Sequence, residues 1–520
     1  MIQPGSPLTL GAMFEDNARR FGDDLALEFG AERRSHSELY RNGCRLAAAL
    51  EGLGMRKQDR MAVLSMNNIA FVETYVAAWT AGYVVGTVNF RLALPEIIWI
   101  LNDIGPKVLL VEAQYAPLIP ALREAVPTIT AVVVLDGEAE GAFTYADLLA
   151  SGSPDGPSTR ATEGDVASLI YTSGTTGRPK GCILGQRESA FNMLILPPSM
   201  GNLPGDRFLC IMPLFHIGAM AIALAMLSNG GVVVIHRQFD PPAVIRALVE
   251  DRITHALLAP TMVQMVLQQP EVGARPCPDL RMIMYSAAPM PSTVLRQGMK
   301  LFGPIFLQMM GSSEGCSMAW LPMSMHRPDG TPREQKRLMS IGTPYRGVAI
   351  RIVDDNGRDC PAGEPGEVIL KSPVMFRGYW NNTAATLDAI RDGWYYSGDV
   401  GQFDEDGYVY LVDRKKDMII SGGENIYSRE VEEALLQHPA VSEAAVIGNP
   451  DETWGEIVCA IVVPVAGASV TEKALIEHSQ TLIAGYKKPR RVVFADDLPR
   501  MVSGKIDKKA LRALYGIAGG

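Results

Sequence analysis

Apolar positions along the chain alternate between two periods. Short apolar runs, MAVLSM (61–66), YVVGTV (83–88) and KVLLVE (107–112), are bounded by turn residues and read as strands. Between them, Asn68 to Ala81 and Leu94 to Asp103 repeat apolar residues every three or four positions, the spacing of a helix face. This rhythm predicts layered β/α structure, and it continues through ITHALLA (253–259), LRMIMYSAAP (280–289) and IFLQMMGSSEG (305–315). Ser35 and Glu38 have capping-box spacing for a helix running to Leu50. The polar, turn-rich stretch SGSPDGPSTR (151–160) bridges two halves of this region, and GDVASLIYTSG (164–174) then resumes a strand. Further on, VAIRIVDDNG (348–357), GEVILKS (366–372) and GYVYLVDRKKD (407–417) read as antiparallel strands joined by glycine turns, a β-rich subdomain. After Lys416 the pattern restarts as a small α+β unit, with a helix from Arg429 to Leu436, strands EAAVIG (443–448) and IVCAIVVP (457–464), a helix from Thr471 to Ile483 and a strand VVFA (492–495).

The predicted organisation is therefore α/β: a large N-terminal domain (1–413) of layered α/β/α subdomains plus a β-rich subdomain, followed by a small α+β C-terminal domain (414–520). One apolar run needs separate treatment. From Ile211 to Ile235 the only ionisable group is His216, and about 20 apolar residues can span a bilayer. Pro213 and the Asn229-Gly230-Gly231 break divide the run into a helix from Gly218 to Leu227 and a strand VVVI (232–235), each too short to cross, so it reads as protein core.

Composition narrows the function classes. A chain of 520 residues with 47% hydrophobic content buries more than one core, and a net charge of −9 gives no broad basic surface for nucleic acid or an anionic membrane. Cys44, Cys182, Cys210, Cys277, Cys316, Cys360 and Cys459 are scattered without CxxC pairs, the usage of reduced thiols; no zinc site is suggested. The start MIQPGSPLTL has no basic leader before an apolar core and the end YGIAGG no retention tail, so a cytosolic location is expected.

Candidate chemistry begins at YTSGTTGRPKGC (171–182). Closely spaced Gly, Ser and Thr leave amides and hydroxyls free to face oxygens, and Lys180 adds a cation. The spacing fails the GxxxxGK[ST] pattern, and alone the stretch is equally readable as a polar connector. Its company decides. MPLFHIGAM (212–220), YSAAPM (285–290), MMGSSEG (309–315), WYYSGD (394–399), GYVYLVDRKKDMIISGGENIYSREVE (407–432) and PRMVSGKIDKKAL (499–511) follow in order. This set resembles the adenylate-forming superfamily of acyl-CoA synthetases, luciferases and peptide-synthetase adenylation domains, closest in motifs to fatty-acid or aryl acid:CoA ligases.

The resemblance implies that a carboxylate and ATP give an acyl adenylate and pyrophosphate, and that CoA then takes the acyl group. It casts Thr172, Ser173, Gly174, Thr175, Thr176, Gly177 and Lys180 as the triphosphate loop, with Glu314 and Thr176 at Mg2+. Ala287, Ala288, Pro289, Met310, Gly311, Ser312 and Ser313 would surround the adenylate. Asp399 would accept the ribose hydroxyls, and Arg414 would contact the sugar from the other side. Lys505 would bridge the carboxylate and the α-phosphate, Lys416 would be the hinge of the small domain, and Ser421, Gly422, Gly423 and Glu424 would meet the pantetheine arm, next to a helix capped by Ser428. Taken singly, Glu314, Asp399, Arg414 and Lys505 are ordinary surface or turn residues and His216 an ordinary core histidine; only the complete set gives them roles.

The same resemblance puts His216, Ile217, Gly218, Ser286, Ala287 and Met309 at the acyl pocket. This chain departs from the family pattern at Met310, where many relatives carry an aromatic ring, and at Ser286 and Met309, which add volume; Gly218 and Ala219 are small. An uncharged aliphatic or arylalkanoic acid is expected rather than acetate or an amino acid. The expected partners are that acid, ATP and CoA, with no nucleic acid and no transmembrane segment, and the organisation is compatible with a homodimer. Two alternatives stand beside the CoA ligase: an enzyme that loads a separate carrier protein, none being encoded in these residues, and a non-catalytic nucleotide-binding homologue.

Overall fold

Strands such as Val108–Val111 and Ala131–Val134 bury every residue, which requires cover on both faces and favours parallel sheets between helices. The computed structural model describes residues 7–172, 178–273, 276–286, 290–415, 417–422, 424–501 and 505–516. One sheet has seven strands in the order Phe143–Thr144, Ala131–Val134, Val108–Val111, Arg60–Leu64, Val84–Thr87, Val166–Thr172 and Lys180–Gly185; all are parallel except the last. A second sheet of nine strands has a parallel centre, Phe306–Ser312, Met282–Tyr285, His255–Leu258, Arg207–Cys210, Val232–Ile235 and Leu25–Phe29, with antiparallel strands at its edges.

One hydrophobic cluster joins the two sheets, taking in Val63 and Val85 from the first and Phe208 and Val233 from the second. Two helices fill the space between them. Ile69–Ala81 buries every residue but Ala70, and Ile217–Ser228 is nearly as enclosed. A helix apolar on all sides is stable only inside protein, which explains the run from Ile211 to Ile235. Among the described residues no helix is long and apolar enough to cross a membrane. The capping box forms as read: Ser35 Oγ accepts from Glu38 N and Glu38 returns to Ser35 N, starting the helix His36–Gly52.

The β-rich part is an antiparallel sheet of Ala349–Val353, Gly366–Lys371, Trp394–Phe403, Ile390–Arg391 and Val409–Arg414. The C-terminal part has its own sheet, dominated by the hairpin Val441–Asp451 and Gly455–Pro464, with Ile419–Ser421, Glu424–Ile426 and Arg491–Phe494. The hydrophobic pattern left two antiparallel returns unread and misplaced one cap. Val166–Thr172 is followed in the sheet by the antiparallel strand Lys180–Gly185. IFLQMMGSSEG likewise turns back, into Cys316–Leu321. Ser428 does not cap its helix: Tyr427 holds that position, while Ser428 N donates to Asp413 and its Oγ accepts from Lys508.

Candidate active site

Parallel strands gather the ends of their loops at one edge, where ligands bind. Here the carboxyl edges of the two sheets are tied together. Asn67, after strand Arg60–Leu64, accepts from Leu214 N at 2.8 Å and donates to Met212 O at 3.0 Å. Tyr75 OH donates to Leu214 O at 2.8 Å and Thr87 Oγ1 to Phe215 O at 2.9 Å. These bonds fix the segment that delivers His216 as the cap of Ile217–Ser228, with Nδ1 accepting from Gly218 N at 3.3 Å. Burial, and then the nearby Lys505 ammonium, push the His216 pKa down to about 4, so the imidazole is neutral at physiological pH.

The loop strands pair so that Thr172 stands opposite Lys180, Thr172 Oγ1 donating to Lys180 O at 3.5 Å. Gly181 permits this close return, because a Cβ there would lie 2.9 Å from the Tyr171 ring. Glu314 lies in the turn between Phe306–Ser312 and Cys316–Leu321, a turn braced by Gly315 N donating to Ser312 Oγ at 2.8 Å. Met309 is buried opposite Trp320, Met310 is half-buried, Gly311 is exposed and Ser313 is buried. Tyr379 OH donates to Glu314 Oε1 at 2.9 Å, and the Lys180 ammonium stands 5.0 Å from the centre of the Tyr379 ring. The two charged groups thus share one aromatic neighbour.

Asp399 and Arg414 are direct partners across two antiparallel strands, and the guanidinium Nε meets the carboxylate Oδ1 at 2.8 Å. Burial raises the Asp399 pKa, while Arg414 and Lys505 oppose the rise. Lys505 reaches this pair from the far end of the sequence. Met501 N donates to Lys505 O at 2.7 Å, and Asp507 then caps the helix Lys508–Tyr515, so the lysine sits shortly before a helix start. It is open to water, yet the protein around it and the positive Arg414 lower its pKa; Asp399 and Glu314 act in the other direction. Lys505 therefore lies within electrostatic reach of Asp399, Arg414, Glu314 and His216.

A model of the AMP-binding enzyme family matches residues 14–380, and one of the AMP-binding enzyme C-terminal domain matches residues 430–505. The chain belongs to the AMP-binding enzymes. It is 36% identical to a feruloyl-CoA synthase from an Amycolatopsis species over 98% of this chain and 99% of that one. It is 35% identical to an indoleacetate–CoA ligase from Aromatoleum aromaticum over 94% of each. Its structure resembles ATP-bound MatB from Rhodopseudomonas palustris with a TM-score of 0.90 and 29% identity, covering 98% and 99% of the two chains. With this family come its large N-terminal and smaller C-terminal domains and its reaction: this is an ATP-dependent acid:CoA ligase, an acyl-CoA synthetase that works through acyl-AMP.

In this AMP-binding enzyme the structure brings together Thr172 with Lys180, and Glu314, Asp399, Arg414 and Lys505 with His216. Ile217 is buried at the helix start, with Gly218 beside it, and Ser286 is half-buried at the end of Met282–Tyr285. Ser173, Gly174, Thr175, Thr176, Gly177, Ala287, Ala288, Pro289, Lys416 and Gly423 lie outside the described residues. Ser421 is buried and Glu424 exposed in the C-terminal sheet, and Gly422 N donates to Trp454 O at 2.7 Å. Among the described residues no hydrogen bond or ion pair joins Ser421, Gly422 or Glu424 to Lys505, Asp399 or Glu314. Two residues escaped the sequence reading. Tyr379 is one; His326, whose Nε2 meets the Tyr285 hydroxyl at 3.0 Å, is the other.

Proposed function

We propose that the cleft between Lys505 and Glu314 is where the carboxylic acid meets ATP. The supporting observation is that Lys505, far along the C-terminal domain, lies within electrostatic reach of Asp399 and Glu314 in the N-terminal domain and of Arg414 at the boundary. Asp399, already charge-paired with Arg414, accepts the ribose hydroxyls, and Arg414 holds the sugar from the other side. Lys180 and the loop from Thr172 to Gly177 take the β- and γ-phosphates with amides, hydroxyls and one cation, while Ala287 to Pro289, Met310, Gly311, Ser312 and Ser313 surround the adenine and its sugar. Lys505 places its ammonium between the incoming carboxylate and the α-phosphate, where two anions must approach; a charge positioned in advance lowers that barrier most. A carboxylate oxygen then bonds to the α-phosphorus as the bond to pyrophosphate breaks. In the second step the CoA sulfur, having given up its proton to solvent, bonds to the acyl carbon as the bond from that carbon to the phosphate oxygen breaks and AMP leaves with the electron pair.

The donor set fits Mg2+ held jointly with nucleotide. Among the described residues no three His, Cys, Asp or Glu side chains gather as a resident metal site, whereas Glu314 supplies one carboxylate, and magnesium commonly binds through one or two carboxylates plus substrate phosphates. When bound, it would neutralise the phosphate oxygens, with Glu314 and Thr176 as its protein ligands.

The domains divide at 413/414, and the C-terminal one turns about Lys416 so that Ser421, Gly422, Gly423 and Glu424 replace Lys505 at the cleft and guide pantetheine. The acid is an uncharged aliphatic or arylalkanoic one, admitted past His216, Ile217 and Gly218 to a pocket bordered by Ser286, Ala287 and Met309. The low pKa of His216 favours an uncharged chain, and relatives named for ferulate and indoleacetate act on acids of aryl character. We place the enzyme in the cytosol. The test is a panel of acids with ATP, Mg2+ and CoA, scored by acyl-CoA mass. Arylalkanoic and aliphatic acids should lead; preference for acetate or an amino acid would overturn the substrate class, and acyl hydroxamate formation without any acyl-CoA would favour a carrier-protein acceptor.

A further inference from the structure

The segment from Phe376 to Asn381 carries no charge except Arg377, yet it runs between the two charged halves of the phosphate site. Its backbone is laced to the strand that starts at Lys180. Arg377 N donates to Ile183 O and Ile183 N to Gly378 O, each at 2.9 Å, and Trp380 N donates to Gly181 O at 2.7 Å. On its other side Phe376 N donates to Glu314 O at 2.8 Å. Tyr379 sits in the middle of this brace. Its own amide is held by Thr386 Oγ1 at 2.8 Å, and its ring packs edge-on against Phe376 with centroids 5.0 Å apart. The side chain is buried to 9% exposure, so both its hydroxyl and its ring face are fixed in place.

Those two features point at different partners. The hydroxyl donates to Glu314 Oε1 at 2.9 Å, and the ring face carries the Lys180 ammonium at 5.0 Å. A hydrogen bond to a charged group is among the stronger ones, and it selects one rotamer of a carboxylate that stands at a turn. A cation over a ring face gains attraction while its remaining donors stay free. Cys182, paired with Tyr379 in a backbone β-bridge, is buried and brings its thiol to the same carboxylate. Nothing in the local pattern RGYWNN announces this, because Glu314 and Lys180 are distant in the chain.

We propose that Tyr379 is a positioning residue for adenylation: its hydroxyl holds Glu314 for the metal-bound nucleotide, and its ring holds Lys180 for the phosphates. This rests on the reading of Glu314 and Lys180 as triphosphate groups. The two functions separate by substitution. Tyr379→Phe keeps the ring and removes the donor; Tyr379→Leu removes both. The probe is ATP itself, with binding to the full-length protein measured by calorimetry in the presence of Mg2+ and again in EDTA.

Tyr379→Phe should weaken binding of ATP with Mg2+ on the order of 10-fold, the scale of one charge-assisted hydrogen bond, and leave metal-free ATP binding unchanged. Tyr379→Leu should weaken both. In the pair Tyr379→Phe with Glu314→Gln, the double variant should bind ATP with Mg2+ no more weakly than Glu314→Gln alone, because the hydroxyl acts through that carboxylate. Equal weakening of both ATP forms by Tyr379→Phe, or additive losses in the double variant, would reduce the tyrosine to a structural role and overturn the proposal. If Glu314→Gln and Lys180→Met each left ATP binding with Mg2+ unchanged, the parent reading would fall instead, and the two failures are told apart by these single variants.

Discussion

Lys505 carries the most specific expectation at the residue scale. Lys505→Ala should abolish acid-dependent adenylation while thioester formation from a preformed acyl adenylate persists; comparable loss of both half-reactions would remove its assigned role. The lysine must be protonated to join two anions, and the desolvating protein around it together with Arg414 lowers its pKa, so adenylation falls as pH rises through that lowered value. Arginine stays charged throughout the range. The alkaline limb of kcat/KM should therefore move up or disappear in Lys505→Arg, whatever the residual rate, and an unmoved limb would assign it to another group. Lys505, Asp399, Arg414 and Glu314 were legible in the sequence because each sits inside a motif whose order is itself informative. Tyr379 was not, since its meaning comes from a hydrogen bond across 65 positions that no local pattern encodes. His326 was hidden for a similar reason: it reaches Tyr285 from a separate turn.

Strands and helices show where periodicity speaks and where it is silent. The helices read over Asn68 to Ala81 and Leu94 to Asp103 form as Ile69–Ala81, with Asn68 as its cap, and Leu94–Ile104. Leu94–Ile104 keeps the one-faced spacing, burying Ile97, Ile100, Leu101 and Ile104, whereas Ile69–Ala81 is enclosed on all sides, so its apolar residues mark burial rather than a single face. The return strand Lys180–Gly185 was missed, because KGCILG is short and begins beside glycine, and its pairing with Val166–Thr172 is a tertiary choice. Ser428 was misread for a comparable reason: a serine before Glu-rich helix sequence suits a cap, but Asp413 and Lys508 claim it instead. Gly422 gives a prediction at this scale. Its φ of +61° is left-handed, and an added Cβ would meet the Trp454 ring at 2.8 Å. Gly422→Ala should cost about 1–2 kcal/mol of local backbone strain and slow thioester formation while sparing pyrophosphate exchange; equal loss in both assays would argue for a general folding defect.

Across the whole molecule, buried histidines set a dependence of stability on acid. His36, His216 and His326 are each held at a pKa of about 4, mainly by burial. The unfolded chain protonates them near 6.5, so stability is fully present above that value and is lost as pH falls towards about 4. Raised carboxyls at Glu73, Asp413 and Glu433 act with the opposite sign, so the test is made by difference. His36→Gln should recover on the order of 3 kcal/mol of the acid-side loss, read as a flatter thermal midpoint between neutral and acidic pH; an unchanged slope would exclude His36. The proposed rotation of the C-terminal domain is also a whole-molecule property, and Lys416→Pro should preserve adenylation and cut thioester synthesis, whereas full thioester synthesis would remove the hinge. All of this depends on an acyl adenylate forming in the cleft that Lys505 closes. The most direct measurement is exchange of labelled pyrophosphate into ATP with the folded enzyme and a panel of carboxylic acids. The account predicts exchange that requires an acid and vanishes in Lys505→Ala; exchange absent with every acid, or undiminished in that variant, would contradict it.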